Sequence, residues 1–207
     1  MHPLNPLRLG FAALLKLWFF RLYMTLEVRG HPRELFLKYP RLILISSHTS
    51  HLDGTAIMAA IPLPLWKTLR IGIAKDYFFT TFWKSLFSRH CLGAFPIDRK
   101  EDKRGSIRLA VELLEKEPAI WMLMFPEGSR SRDGEMKPFK PGVSIFSLAT
   151  GVPILFVYVE SRGLWPVGQK FARRGEVTVH FGCVREPAEI DVIEQGYREW
   201  VRSLSSR

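Results

Sequence analysis

Apolar and polar positions along the chain follow two different periods. Residues 42–45, 69–74, 119–125 and 153–159 form short runs that are apolar almost throughout. Runs of this length bounded by turn residues read as strands, and the run from Ile120 to Phe125 has no polar position, as expected of a strand covered on both faces. Val177, Val179 and Phe181 alternate with Thr178 and His180, which predicts a strand with one wetter face. Elsewhere the period is helical. Ile107, Ala110, Val111 and Leu114 recur at helical spacing until Pro118, and Ile190, Ile193, Tyr197, Val201 and Leu204 do the same near the end of the sequence. The uncharged stretch 141–159 is broken by Pro141, Gly142, Gly151 and Pro153, so it reads as a helix over 143–149, a turn, and a buried strand. Strands alternating with helices predict an α/β fold: a single domain with a largely parallel or mixed sheet flanked by helices. In such sheets reactive residues gather at the carboxyl ends of the strands.

Residues 7–26 form a long apolar stretch in which only Arg8, Lys16 and Arg21 are charged. No small-residue cleavage site follows it, which argues against a signal peptide, and Lys16 and Arg21 in its middle argue against a membrane span. Trp18, Phe19, Phe20 and Tyr23 are residue types favoured at a membrane interface, where the long basic side chains can snorkel to headgroups. This mix favours an interfacial helix over a buried core or dimer helix. The chain is accordingly expected to divide into an N-terminal interfacial helix, 1–27, and a domain spanning 28–207.

Composition sharpens the picture. At 207 residues, with 47% hydrophobic and 24% charged positions, the chain has the length of one domain and enough apolar side chains for a packed core, which excludes global disorder. Thirty Lys and Arg against twenty Asp and Glu leave a net charge of +10, pointing to an anionic partner: nucleic acid, an anionic bilayer or a phosphate-bearing substrate. No helix-turn-helix, finger or RNP-like motif accompanies the charge, so nucleic acid is not expected. Cys91 and Cys183 cannot build a disulfide framework and suggest a reducing compartment.

Three segments carry candidate chemistry. The first strand runs into Ser46-Ser47-His48-Thr49-Ser50-His51-Leu52-Asp53. His48 and Asp53 stand about 140° apart on a helical wheel, so they meet only if His48 lies in the loop and Asp53 in the first helical turn, with Ser50 as a candidate N-cap. An Asp bonded to one imidazole nitrogen fixes the tautomer and leaves the other as a base; two polar residues capping a helix is the plainer reading of the pair alone. His48, His51 and Asp53 also form a possible zinc set, but no further His follows in hydrolase spacing and no metal is expected. The strand at 119–125 ends in Pro126-Glu127-Gly128-Ser129-Arg130, a sharp turn that, with Arg132, offers guanidinium forks to phosphate. A third strand-like segment, 93–99, ends in Asp98-Arg99.

Together these segments resemble the PlsC-type glycerolipid acyltransferases, also called lysophosphatidic acid acyltransferases. The family's Asn-His-x-Ser-x-x-Asp block is matched over 47–53, with Ser47 in place of Asn. A Gly-centred block ending in Arg is matched over 93–99. Phe-Pro-Glu-Gly-Thr-Arg-Ser is matched over 125–131 with Ser129 for Thr, and Val-Pro-Ile by Val152, Pro153 and Ile154. Ala74 and Lys75 match an Ala-Lys pair, while Asp76, Tyr77 and Phe78 depart from the family pattern. The resemblance spans about residues 25 to 185.

It implies that His48 is the general base and Asp53 its orienting partner. It also implies that Arg99 and Arg130 bind the acceptor's phosphate, that Lys75 supports the oxyanion or phosphate, and that Glu127, Gly128 and Ser129 shape that pocket. The implied partners are a lysophospholipid, an acyl thioester of coenzyme A or acyl carrier protein as co-substrate with no cofactor, and an anionic membrane surface. The implied location is the cytoplasmic face of the membrane, peripheral or monotopic. Acceptors such as a lyso-ornithine lipid, and a non-catalytic role in binding anionic lipid, are the alternatives.

Overall fold

The computed structural model describes residues 5–99, 101–131, 133–161, 163–166 and 168–205. The chain opens with α1 (Pro6–Ala13), which continues as a π-helical segment (Leu14–Tyr23), followed by β1 (Thr25–Arg29), α2 (Pro32–Lys38) and β2 (Arg41–Ile45). Next come α3 (Leu52–Ala60), a 3-10 turn (Leu63–Lys67), β3 (Leu69–Ala74), α4 (Lys75–Phe78) and α5 (Phe82–Phe87), which runs on as a π-helical turn (Ser88–Leu92). The rest comprises β4 (Ala94–Ile97), α6 (Lys103–Lys116), β5 (Ile120–Met124), α7 (Gly142–Thr150), β6 (Ile154–Glu160), β7 (Glu176–Arg185) and α8 (Ile190–Ser205).

The strands form one seven-stranded sheet in the order β1-β7-β6-β2-β5-β3-β4. The five strands from β6 to β4 are mutually parallel, whereas β7 runs antiparallel to β6 and β1 parallel to β7. The chain leaves β2, passes the slot later filled by β5 to build β3 and β4, returns as β5, then crosses to the other side of β2 as β6. The carboxyl ends of five strands therefore open on the same edge, around the point where the strand order reverses.

The mixed α/β sheet expected from the alternation of periods is present. It is buried on both faces, which explains the continuous apolar runs. Leu42, Leu44, Trp121, Leu123, Leu155 and Val157 face one core shared with the N-terminal helix and α3. Ile43, Ile45, Met122, Met124, Ile154 and Phe156 face a second core, closed by residues of α6, α7 and α8.

Three expectations are corrected. The first helix ends at Tyr23, short of Leu26: Met24 is extended and Thr25–Arg29 pairs with β7 as an edge strand. Lys16 does not snorkel outward. Its ammonium donates to the carbonyls of Ala59 and Ile61 (2.7 Å to the latter), at the C-terminal end of α3, where a cation is favoured. Third, β7 has no wet face, since Thr178 and His180 are buried. Thr178 donates to Glu27 (3.3 Å) and His180 Nε2 meets Glu160 (2.8 Å), so carboxylates on the neighbouring strands solvate them.

Tyr197 of α8 pins this second core to the open edge of the sheet. Its fully buried hydroxyl accepts from the Ser47 amide (2.9 Å) and donates to the Val157 carbonyl (2.8 Å), and burial holds its pKa well above the ordinary phenol value. Tyr197→Phe removes both bonds, so urea unfolding is expected to show a loss of about 1–3 kcal/mol. An unchanged midpoint would refute this bond as a tie between α8 and the loop after β2.

Candidate active site

Every segment singled out in the sequence for chemistry reaches the open edge of the sheet. Residues 46–51 leave β2, Lys75 follows β3, Asp98 and Arg99 follow β4, and residues 125–131 leave β5. Arg132 lies outside the described residues.

His48 sits in the loop and Asp53 in the first turn of α3, so the two meet as their spacing requires: His48 Nδ1 and Asp53 Oδ2 are 3.0 Å apart. The Asp53 carboxylate is only 1% exposed and is saturated. Oδ2 also accepts from the amides of Thr49 and Ser50 (both 2.8 Å), and Oδ1 accepts from the Ser161 hydroxyl at the end of β6 (2.8 Å). The N-cap position falls on His51 rather than Ser50, because the turn starts one residue later. Ser50 Oγ still accepts from the Leu52 amide (3.1 Å) and donates to the Trp165 carbonyl (3.0 Å).

The imidazole of His48 stacks on Phe125, centroids 4.1 Å apart and planes 21° apart, and its side chain is 21% exposed. Its backbone is clamped as well. The amide donates to Glu127 Oε1 (2.8 Å) and the carbonyl accepts from the Ser131 amide (2.8 Å). With Nδ1 committed to Asp53, Nε2 is the nitrogen left for chemistry. A base so oriented, at a partly exposed mouth, can take a proton from a bound hydroxyl.

Glu127 is a buried brace: Oε1 holds the His48 amide and Oε2 the Lys137 amide (3.2 Å). Gly128 adopts a left-handed φ of 71°, which favours glycine, and the Lys140 side chain packs against it, 2.7 Å from where a Cβ would lie. Arg99 binds the Gly128 carbonyl (2.7 Å) and, through its other nitrogen, both oxygens of Asp76 (2.7 and 3.0 Å). Lys75 pairs with Asp98 (3.1 Å), which raises its pKa. Arg130 lies against the His51 ring, 2.7 Å from Nε2, and Lys137 donates to Ser129 Oγ (3.2 Å) and to the Arg130 carbonyl (2.7 Å). Burial first, and then the Arg130 charge, hold His51 below the ordinary imidazole value. Among the described residues no group of three or more His, Cys, Asp or Glu is placed to hold a metal ion; His51 faces Arg130 and Trp165.

Sequence reasoning missed Ser161, Lys137 and Lys140. Ser161 directly follows a strand end, the position where function collects, and was findable by that rule. The two lysines reach the turn only through the fold of 133–141.

This constellation defines an α/β protein with a hydrogen-bonded His-Asp pair set among cations. A family model described as Acyltransferase matches residues 27–160, so the chain belongs to the acyltransferase family, as its resemblance to the PlsC type indicated. Among curated relatives, a 1-acyl-sn-glycerol-3-phosphate acyltransferase of Limnanthes douglasii is 28% identical over 172 residues, covering 81% of this chain and 56% of that protein. The Escherichia coli protein of the same name is 32% identical over 126 residues, 59% of this chain and 48% of its own length. The chain thus spans little more than half of the Limnanthes protein and under half of the bacterial one. The crystal structure of PlsC, the 1-acyl-sn-glycerophosphate acyltransferase of Thermotoga maritima, superposes with a TM-score of 0.73 over 96% of this chain and 79% of that one; at 22% identity it shows a shared fold.

Glu127 carries a testable signature. Burial raises its pKa, against the bonds from the His48 and Lys137 amides and the Lys137 charge. A carboxyl that titrates higher when folded lets the unfolded chain lose its proton first. Stability therefore falls as pH rises from the ordinary carboxylate range through the raised value. The unfolding free energy of the wild type minus that of Glu127→Gln is expected to decline across this window and to level off above it. A difference that stays flat or climbs would overturn the assignment.

Proposed function

We propose that the protein is an O-acyltransferase that moves a fatty acyl group from acyl-coenzyme A or acyl carrier protein to the free hydroxyl of a 1-acyl-glycerol-3-phosphate, giving phosphatidic acid. The observation that carries this reading is the partly exposed His48 imidazole, tied at Nδ1 to a saturated, buried Asp53. The names of the relatives supply the acceptor.

His48 Nε2 takes the acceptor's proton as the hydroxyl oxygen attacks the thioester carbonyl, and Asp53 stabilises the imidazolium. The tetrahedral oxyanion collapses, the carbon–sulfur bond breaks, and the imidazolium proton passes to the departing thiolate. Atoms and charge balance without a metal, a cofactor or an acyl-enzyme. Arg99 and Arg130 take the acceptor's phosphate, for which a dianion competes with Asp76 and His51, and Lys75 strengthens the local positive field. Glu127, Gly128 and Ser129 form the wall from which that phosphate is bound.

The N-terminal helix supports a site at the membrane surface. Leu14, Leu17, Trp18 and Leu22 are more than half exposed, while Arg8 and Lys16 turn inward. No helix among the described residues is long and apolar enough to cross a membrane. A peripheral or monotopic seat on the cytoplasmic leaflet, where acyl thioesters are at hand, is the arrangement proposed.

Purified protein given labelled acyl-coenzyme A or acyl carrier protein and a panel of lysolipids is expected to make phosphatidic acid. In His48→Ala and Asp53→Asn, kcat is expected to fall at least about 10²-fold with the fold intact by circular dichroism. Full turnover by folded His48→Ala would remove it as the base. Turnover confined to another acceptor, such as a lyso-ornithine lipid, would overturn the substrate.

A further inference from the structure

A second cationic site lies at the opposite edge of the sheet. A cavity of about 380 Å³ opens at the amino ends of β3 and β4, lined by Asn5, Arg8, Lys67, Arg70, Arg89 and His90 among others, with no carboxylate among its lining residues. The six residues of β3 separate it from Lys75, a distance of about 20 Å.

Its construction is that of an anion site. Arg8 projects from the first turn of α1, is 6% exposed, and leans over Gly93, whose missing Cβ makes the room: one placed there would lie 2.4 Å from Arg8 Nη2. Arg8 Nη2 donates to the carbonyls of Leu69 (2.9 Å) and Leu92 (3.3 Å), yet its buried Nε has no hydrogen-bond partner among the described residues. Arg70 Nη1 donates to the carbonyls of Lys67 (2.9 Å) and Leu69 (3.1 Å), while its Nη2 lies 3.8 Å from Glu117, outside hydrogen-bond distance. Burial, and after it the charge of Arg70, lower the Arg8 pKa to about 10. Asn5 caps α1, its side-chain oxygen accepting from the Leu7 amide (3.0 Å) and its carbonyl from the Arg8 and Leu9 amides (2.9 and 3.1 Å), so the guanidinium groups are the donors left for an anion.

We infer that this cavity binds a phosphate group, held by the guanidinium groups of Arg8, Arg70 and Arg89, at a site separate from the His48 centre. Guanidinium forks arranged around a concave, carboxylate-free space match phosphate oxygens and leave little to recognise an apolar ligand. The group arrives either on a lipid headgroup or on a soluble phosphate ester. The exposed Leu7, Leu9, Phe82, Trp83 and Phe87 on the two helices that flank the cavity favour the lipid. The inference stands whether or not the protein transfers acyl groups.

The test compares the full chain with Arg70→Gln/Arg89→Gln and with Arg104→Gln/Arg108→Gln, which removes the same charge from α6. All three keep Arg99 and Arg130, so differences isolate the cavity. Binding to phosphatidylcholine vesicles containing phosphatidylglycerol is measured by sedimentation, and binding of glycerol 3-phosphate to detergent-solubilised protein by calorimetry. A loss of at least about tenfold in the cavity pair alone supports the site. Loss on vesicles identifies a lipid headgroup, and loss in calorimetry a soluble ester. Equal losses in both pairs, or none in either assay, would overturn the inference. The single change Arg89→Gln, at an exposed position, gives a second reading if the double variant fails to fold.

Discussion

A carboxylate buried at the mouth of a parallel sheet is tolerated only when its lone pairs are filled, and Asp53 sets this demand for the whole site. Its four donors come from different parts of the chain. The amides of Thr49 and Ser50 and the His48 ring come from the loop after β2, and the Ser161 hydroxyl from the end of β6. Satisfying one buried charge therefore determines the path of that loop and the spacing between two strand ends. Glu127 repeats the logic from the β5 side, holding the His48 and Lys137 amides. Between the two carboxylates, His48 is fixed by ring, amide and carbonyl, and the stack on Phe125 removes the remaining freedom of the ring. The orientation of the imidazole is thus a by-product of electrostatic necessity on both sides of it.

Much of this was legible in the residues. The apolar runs located β2, β3, β5 and β6 to within a residue or so, because strands covered on both faces have few polar positions to blur them. The His-x4-Asp spacing anticipated a loop-to-helix geometry that the structure reproduces. What escaped detection has a physical reason in each case. β1 is an edge strand, and Thr25-Leu26-Glu27-Val28-Arg29 follows an apolar helix with no Gly or Pro between them, so no punctuation marked its start. Thr178 and His180 are polar and yet buried, because their solvation comes from Glu27 and Glu160 across the sheet, a pairing that no local pattern carries. Glu127 could be read as part of a pocket wall, but not as a brace, since its partners lie 79 and 10 residues away.

The N-terminal helix shows the opposite difficulty. Its sequence reads as an interfacial helix whose basic side chains snorkel outward to headgroups. The structure resolves the pattern by inverting it. Arg8 and Lys16 turn inward onto backbone carbonyls and lie about 6 Å from the Trp66 ring centroid, while Leu14, Leu17 and Leu22 face out. Here the carbonyls left over at element ends, rather than other side chains, solvate the cations, and an apolar outer surface follows because the polar groups have been used within.

The contacts that complete the site also dictate when it can exist during synthesis. Tyr197 reaches back 150 residues to Ser47, Ser161 reaches back 108 to Asp53, and β1 finds its partner only in β7. A nascent chain that has emerged as far as β5 already carries His48, Asp53 and Glu127, yet lacks the hydroxyls that hold the loop and carboxylate in register. Closure of such distant pairs comes late and slowly compared with helix formation. The loop that carries His48 is thus held in place only once β6 and α8 have docked.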